Sequence, residues 1–499
     1  MKRRLPAVFY NPISLAGAAI ASASFATILF LTVVNQVESN PASYFGIIAY
    51  VVLPVPLIVG LLIIFIGVVR ERRRLRRGMP ASKMVFTLNL NVPEQRTAVT
   101  YFTIIFGLFL LFTAYGSYQA FQWTESVEFC GKTCHTVMEP EFTAYQYSPH
   151  ARVKCVDCHV GGGAGWYVRS KLSGAYQLYA VLANNYPRPI PIPIKNRRPA
   201  QETCEQCHWP AFFSREKEEL RTLFKSDEQN TRWTIDLLMK VGGGGAGQQG
   251  PSRGIHYHMN IAEEMTYVAT DSLEQTIPWV ESRNKASGKT TEFTSTEAPQ
   301  TAAELKNLPL HKLDCIGCHN QPSHGYRPPV RIVDESMALG KISTELPNVR
   351  TASIQALVVP YATTAGAMDS IPMTFESYYK SNYPAVLTQK KDLIVAASEE
   401  LKTQYSRNFF PEMHVNWQAY PNNVGHMTSL GCFRCHDGKH KSSDGQVIPK
   451  DCNSCHTILY QGAAALPTTL NAAGLAFQHP QDVGDAWKEN NCSDCHTGQ

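Results

Sequence analysis

The sequence predicts a mainly α-helical protein that crosses a membrane three times and then continues as a larger region with little regular secondary structure. Nearly all long apolar runs fall within the first 120 residues of the 499-residue chain. The rest reads as a water-soluble region, and all 14 cysteines lie there. Those cysteines are arranged in seven close pairs, which indicates a repeated chemical site rather than one catalytic centre.

Three stretches are apolar and long enough to cross a bilayer, for which about 20 residues are needed. They run from about residue 11 to 34, 44 to 69 and 98 to 121, and none contains a charged side chain. A cleaved signal peptide is the alternative for the first stretch, because Lys2, Arg3 and Arg4 precede it. Its apolar run is longer than the roughly 7–15 residues of such peptides.

The basic residues predict the orientation of these three spans. The loop between the first two spans carries only Glu38, whereas the amino terminus is basic. Because basic loops stay in the cytoplasm, the amino terminus and the second loop are predicted inside and everything after the third span outside. The basic residues around the second loop are Arg70, Arg72, Arg73, Arg74, Arg76, Arg77 and Lys83.

The net charge of +5 does not indicate a nucleic-acid partner, because the basic residues are concentrated beside the membrane. Residues 98–499 hold 35 Lys or Arg and 38 Asp or Glu, a net charge of −3. The region outside the membrane is therefore slightly acidic, and its soluble partners are expected to be basic.

A histidine follows the second cysteine of every pair. Six pairs read Cys-x-x-Cys-His, and the first, Cys130-Gly-Lys-Thr-Cys134-His135, has one extra residue. The other motifs are Cys155/Cys158/His159, Cys204/Cys207/His208, Cys315/Cys318/His319, Cys432/Cys435/His436, Cys452/Cys455/His456 and Cys492/Cys495/His496.

Cys-x-x-Cys-His is the attachment signature of c-type haem, in which two sulfurs bond the porphyrin and the imidazole binds its iron. Half a structural zinc site is the alternative for a Cys-x-x-Cys pair. Zinc sites need two such halves, seven is an odd number, and zinc does not explain the following histidine. The predicted fold class is therefore mainly α, with three transmembrane helices plus a periplasmic multihaem cytochrome c domain carrying seven haems.

We predict three domains: a membrane domain over 1–121, a tetrahaem domain over 122–333, and a helical segment with a trihaem domain over 334–499. Residues 334–406 contain no motif and are predicted to form amphipathic helices, and residues 265–280 two short strands. Residues 187–199 are proline-rich and predict an extended linker, and residues 242–247 form a glycine-rich connector.

Nine histidines lie outside the motifs and can supply second axial ligands to the irons. His256 and His258 are predicted to supply one ligand between them, and His311 and His414 are weaker candidates. The favoured ones are His150, His324, His426, His440 and His479.

The first motif offers another ligand. Met138 follows His135 closely enough for its thioether to reach the iron, which would raise the reduction potential. Simple packing of Met138 is the alternative. Which of His135 and Met138 binds the iron stays open.

Residues 130–199 resemble the NapC/NirT family of membrane quinol dehydrogenases. The matching residues are Cys130-Gly-Lys-Thr-Cys134-His135-x-x-Met138, Glu141, Ser148-Pro-His150, Cys155-Val-Asp-Cys158-His159 and Val168-Arg169-Ser-Lys171. Three spans, seven haems and this length resemble the ImcH-type heptahaem inner-membrane cytochromes c. Three departures stand out: the longer first motif, the methionine one place later, and Gln177 where the family has an acid.

The resemblance implies oxidation of menaquinol from the membrane pool, with electrons passing to soluble periplasmic cytochromes. It also implies that Lys171 contacts the quinol, with Arg169 and Gln177 nearby on one helix and Glu139, Glu141 or water accepting protons. The chain is accordingly expected in a bacterial inner membrane. Competing interpretations are a terminal reductase for a nitrogen oxyanion, the same electron path run towards quinone, and a haem-delivery protein.

Overall fold

A computed structural model describes most of the chain, and about half of it is helical. The segments it describes are residues 11–37, 53–80, 90–133, 135–161, 163–192, 198–209, 216–242, 254–258 and 263–498.

Three long apolar helices lie near the amino terminus, as predicted. They are α1 (Pro12–Val37), α2 (Pro54–Arg76) and α3 (Pro93–Thr124). Each contains a window long and apolar enough to cross a membrane. The second helix extends further than expected at its basic end, because Arg70 to Arg76 continue it. The predicted beginning of the second span, residues 44–52, lies outside the described residues.

Small residues bring α1 and α2 into close contact. A Cβ atom at Gly17 would lie 2.6 Å from the carbonyl oxygen of Gly60, so a side chain there would push the helices apart. The Ser14 hydroxyl donates across the pair to the carbonyl of Ile64, at 3.3 Å. Close backbone approach through small residues is how helices associate in lipid, where apolar side chains gain little from burial against each other.

The chain forms two compact units. The first contains residues 1–126 and 160–178, and the second contains residues 127–159 and 179–499. The predicted boundary between residues 333 and 334 falls inside the second unit. That boundary stays a prediction.

Helix α7 begins in the first unit and ends in the second. Apart from it, the remaining helices belong to the second unit, and most of those near the motifs are a single turn. The helices after α3 are α4 (Val127–Lys132), α5 (His135–Gln146), α6 (Cys155–His159), α7 (Ala164–Leu182), α8 (Ala200–Thr203), α9 (Ala302–Asn307), α10 (Cys315–Cys318), α11 (Pro329–Ala338), α12 (Val349–Val358), α13 (Thr364–Asn382), α14 (Pro384–Gln389), α15 (Lys391–Asn408), α16 (Ala486–Glu489) and α17 (Cys492–Cys495). Short 3-10 turns are Cys204–Gln206, Ile255–His258, Pro411–Met413, Gly431–Arg434 and Cys452–Ser454.

Two antiparallel sheets correct the expectation of little regular structure. One orders its strands β1-β2-β8 and the other β6-β3-β4-β5-β7, so both join strands from either side of residue 334. The predicted strand pair is confirmed as β3 and β4, in which Glu263 opposes Asn284. The strands are β1 (Lys217–Phe224), β2 (Arg232–Met239), β3 (Glu263–Val268), β4 (Trp279–Asn284), β5 (Thr290–Ser295), β6 (Leu310–Lys312), β7 (His440–Lys441) and β8 (His456–Gly462).

The largest apolar core belongs to the segment without motifs. Helices α11 to α15 confirm the predicted helical character of residues 334–406, and their apolar faces meet in one cluster. Ile371, Phe375 and Tyr379 occupy successive turns of α13 and are fully buried there. This segment therefore folds around ordinary side-chain packing, unlike the short turns around the motifs.

Candidate haem centres

Each of six motif histidines faces one histidine from outside the motifs. The ring centroids in these pairs are 5.8–6.4 Å apart, and no ring belongs to two pairs. The pairs are His208 with His150, His159 with His324, His319 with His256, His436 with His258, His456 with His426, and His496 with His479.

This spacing fits a metal ion held between two imidazoles. An ion bonded to one nitrogen of each ring at about 2 Å separates the centroids by roughly 6 Å. Direct packing of aromatic rings covers a wider range of separations, about 4.5–7 Å. Six pairs within 0.6 Å of one another therefore favour a common bridging ion.

Backbone carbonyl groups orient several of these rings. The Nδ1 atoms of His150 and His324 lie 3.0 and 2.9 Å from the carbonyl oxygens of Pro322 and Glu141. Because a carbonyl can only accept, Nδ1 carries the proton and Nε2 keeps its lone pair for a metal. The same bond is made by His258 to Ile255 and by His436 to Pro449. Nδ1 of His479 lies near both the carbonyl oxygen and the N–H of Gln481.

Burial also favours the neutral imidazole that binds metals. Desolvation lowers the pKa of His159, His258 and His436 below the ordinary value for histidine. It lowers the pKa of His426 to about 4, with a smaller contribution from the neighbouring His456. A charged imidazolium has no lone pair, so these environments suit ligands better than proton carriers.

Four of the motifs share one local structure, a single turn closed by the histidine. The backbone N–H of His319 donates to the carbonyl of Cys315 at 2.7 Å, and Asp314 caps the turn by accepting from the N–H groups of Ile316 and Gly317. A turn of this kind brings residues i, i+3 and i+4 to one side. Both cysteines and the histidine can then face one porphyrin. The same closing bond links His208 to Cys204, His436 to Cys432 and His496 to Cys492.

The motif cysteines differ in their burial, and Cys207 is one of four that are exposed. Its side chain is exposed, and it lies directly after the 3-10 turn Cys204–Gln206 rather than inside it. The backbone N–H of Cys207 still donates to the Cys204 carbonyl at 3.1 Å, which keeps both cysteines on one turn. Cysteine is ordinarily among the most buried residues, so an exposed thiol is not held there by packing. Haem attachment by Cys207 stays a prediction. The other exposed motif cysteines are Cys158, Cys452 and Cys495.

The motifs contact each other in the second unit. The side chains of Cys155 and Cys130 lie close together, as do those of Cys204 and Cys315. A cavity beside the sixth motif is lined by Cys452, His456, Phe477 and Trp487 among others. Within the described parts of the chain, no group of three or more His, Cys, Asp or Glu has the arrangement of a metal cluster such as zinc would need. The turns that bring two cysteines and a histidine to one side, together with the paired imidazoles, fit covalent haem.

Two expectations about second ligands require correction. His256 and His258 do not share one position, since their rings face His319 and His436 respectively. His440 faces no motif histidine among the described residues. Its side chain is 1 % exposed and both ring nitrogens have protein partners, at 2.9 Å from Asp437 and 2.8 Å from the Ile277 carbonyl oxygen. That hydrogen bonding leaves no nitrogen for an iron.

The weaker candidates also have other partners. The ring of His311 stacks on Tyr267, 5.2 Å between centroids, and its Nδ1 lies 3.4 Å from Glu274. His414 adopts a positive φ of 54°, with Nδ1 3.3 Å from the Arg188 carbonyl oxygen. At the first motif, Cys134 and the His135 side chain lie outside the described residues. Met138 is half-buried in α5.

The predicted quinol residues fall into both units. In the first unit, Lys171 Nζ lies 3.5 Å from Glu125 Oε1, Arg169 lies over the ring of Trp166 at 5.3 Å, and Gln177 donates to Ser173. Glu125, which directly follows α3, was not among the residues predicted for this site. The sequence feature that could have identified it is an acidic residue directly after an apolar helix.

In the second unit, Glu139 is exposed and Glu141 is largely buried. Burial raises the pKa of Glu141 to about 7, and its Oε2 has no hydrogen-bond partner among the described residues. Tyr326 and Tyr420 belong to the surrounding apolar cluster. Their pKa values are raised mainly by desolvation and to a smaller extent by the charge of Glu141. The structure thus gives these two acids different environments.

Comparison with known proteins agrees with this chemistry. The model of the NapC/NirT cytochrome c family, N-terminal region, matches residues 92–189. The chain is 40 % identical over 495 residues to the cytochrome c-type protein ImcH of Geobacter sulfurreducens, covering 99 % of this chain and 96 % of that protein. No solved structure gives a significant match.

Proposed function

Because this chain belongs to the ImcH-type NapC/NirT multihaem cytochromes c, we propose that it oxidises menaquinol and passes the electrons through seven covalent haems to soluble cytochromes. The observation that carries the electron-transfer part is the set of six histidine pairs. When bound, haem iron supplies one-electron redox chemistry.

Six haem irons would each be held by one histidine from a motif and one from elsewhere in the chain. The cysteines of each motif would hold the porphyrin, and backbone carbonyls keep several of the imidazoles in the tautomer that binds metals. The first iron differs, with His135 or Met138 as the ligand from its own motif. Two histidines at each of these six irons would leave no open position there, which argues against a terminal reductase at these sites.

The protein is a membrane protein, and we place it in a bacterial inner membrane with the haem-bearing region in the periplasm. Support comes from the three apolar helices and from the basic end of α2, which positive-inside charge bias assigns to the cytoplasm. With α2 ending inside, α3 crosses outward and Cys130 follows on the periplasmic side. Covalent haem attachment on that side suits an exported domain.

Lys171 is the residue we propose to contact the quinol. It lies on α7 in the same unit as α3, and 42 % of its side chain is exposed. An ammonium can donate to a quinol oxygen and stabilise negative charge that develops as the hydroxyl loses its proton. Binding anionic lipid headgroups is the other role such a lysine can have.

The test is rapid mixing of the purified holoprotein with a menaquinol analogue, following haem absorbance. Lys171→Met should slow haem reduction at least tenfold, a barrier increase of about 1.4 kcal/mol. Lys217→Met, at an exposed lysine of β1, is the matched control and should react normally. Unchanged kinetics in Lys171→Met would remove the quinol site from α7. A high-spin haem that binds nitrite would favour the reductase instead.

A further inference from the structure

We propose that Glu125 forms the proton-accepting half of the quinol site, with Lys171 as the other half. This inference rests on the proposed quinol oxidation and names the acid that the site uses. It differs from the sequence-based expectation, which assigned the proton to Glu139, Glu141 or water.

Glu125 caps the end of α3, beyond its apolar sequence. Tyr115, Tyr118 and Trp123 in the last turns of α3 are 65, 44 and 57 % exposed. Exposed Tyr and Trp side chains concentrate at the headgroup level of a bilayer. The backbone N–H of Glu125 closes the helix by donating to the Phe121 carbonyl at 3.1 Å. Its carboxylate therefore lies at the depth where a quinol headgroup meets water.

The pair is asymmetric in exposure, as a substrate-facing pair requires. The Glu125 side chain is 8 % exposed and that of Lys171 is 42 % exposed, with 3.5 Å between Oε1 and Nζ. A buried carboxylate is costly unless a positive charge compensates it, so Glu125 has reason to hold Lys171 in place. Lys171 keeps part of its surface open to a bound molecule.

The helix that carries Lys171 presents an apolar surface. Val168, Leu172 and Tyr176 follow one another at intervals of one turn on α7 and are 45, 68 and 66 % exposed. This part of α7 belongs to the same compact unit as the membrane helices. An apolar helix face beside a charged pair suits a quinol, which has a long apolar tail and a polar ring.

The chemistry balances with the partners already named. Each quinol loses two protons and two electrons to become quinone. As an O–H bond of the quinol breaks, its proton moves to a carboxylate oxygen of Glu125 and the electron goes to an oxidised haem. Glu125 then releases the proton to the outside water, and the second O–H bond is broken in the same way. Lys171 stabilises the negative charge on the oxygen in each step.

Two substitutions separate proton transfer from positioning. Glu125→Gln keeps a carbonyl oxygen for Lys171 but cannot take a proton at neutral pH, so kcat with a menaquinol analogue should fall at least tenfold while KM stays near the wild-type value. Glu125→Asp should recover part of the rate. The matched control is Glu128→Gln, an exposed acid three residues further on, which should behave as wild type. Reduction by dithionite should be the same in all variants.

The outcomes distinguish this inference from the proposed function. A wild-type protein that dithionite reduces but the quinol analogue does not would end the quinol proposal itself. Slow Lys171→Met together with normal Glu125→Gln would overturn only the role of Glu125. Where Glu125→Gln loses haem, the fraction of that variant that retains all its haem decides. A kcat at least tenfold below wild type in that fraction supports the proposal, and a wild-type kcat contradicts it.

Discussion

His256 and His258 lie two residues apart in one 3-10 turn, yet their rings face histidines of two different motifs. His256 is 6.4 Å from His319 and His258 is 5.8 Å from His436, measured between ring centroids. With about three residues per turn, neighbours two positions apart point to different sides. One short turn can therefore serve two irons and connect the fourth motif to the fifth.

We predict that His256 and His258 each bind a separate iron. Replacing either one by alanine should convert one haem of seven from low-spin to high-spin, and the double substitution should convert two. Electron paramagnetic resonance of the oxidised protein counts high-spin haem directly. His440→Ala is the control, and it should leave all spins unchanged because both nitrogens of His440 bond protein groups. A double variant with only one high-spin haem would restore the shared-ligand interpretation.

Much of this arrangement could be predicted from the chain alone. The motifs could be recognised because a spacing of about five consecutive residues determines which side chains reach one porphyrin. The apolar spans could be recognised because each is one continuous run of the chain. The pairing of His150 with His208 depends on contacts between distant segments, which no local pattern encodes. His440 illustrates the difference: its position close behind a motif suggested a ligand, but β7 buries it against Asp437 and Ile277 instead.

Apart from β3 and β4, the strands of the two sheets were missed for a related physical reason. Strand β8 begins at His456, the last residue of a motif, and pairs with β2 more than 200 positions earlier. From the sequence alone, the residues of β8 look like the end of a haem-binding turn followed by a loop. Long-range pairing, rather than alternation of apolar residues, holds this strand in place.

Glu141 should make the stability of the folded protein depend on pH. Its pKa is about 7 in the folded state, against 4.5 as the ordinary value. Its contribution to stability is therefore fully present below pH 4.5 and is lost as the pH rises to about 7. At pH 8, Glu141→Gln should be more stable than wild type by about 3 kcal/mol, with little difference at pH 4.5.

Denaturation in guanidinium at the two pH values, followed by haem absorbance, measures that difference. The exposed neighbour Glu139 provides the control, since Glu139→Gln should shift neither midpoint. An equal effect of Glu141→Gln at both pH values would show that the pKa of Glu141 is the same in the folded and the unfolded protein.

Soluble electron acceptors are expected to be basic proteins. Residues 98–499 have a net charge of −3, and haem propionates add further negative charge. Opposite charges speed encounter, and salt screens that attraction. Raising the salt concentration from about 10 to about 500 mM shortens the screening length from about 30 Å to a few ångströms. The rate of electron transfer from the reduced protein to a basic c-type cytochrome should therefore fall over this range. A rate independent of salt would leave the charge without a role in docking.

Gly131 should be required for loading the first haem. It lies in the longer spacer of the first motif and is buried in α4, where an added Cβ would overlap the ring of Phe142 from α5. Overpacking of this kind costs about 1–3 kcal/mol and moves the backbone that carries Cys130. Gly131→Ala should therefore yield a mixture of six-haem and seven-haem protein, which intact mass after acid denaturation resolves.

A second substitution identifies the overlap as the cause. Phe142→Leu removes the atoms that meet the new methyl group, so Gly131→Ala combined with Phe142→Leu should return towards seven haems. Gly165→Ala is the matched control, because a Cβ there meets no described atom within 4 Å. If Gly131→Ala alone carries seven haems, the first site tolerates a side chain in its spacer. In that case the extra residue of the motif does not depend on close packing against Phe142.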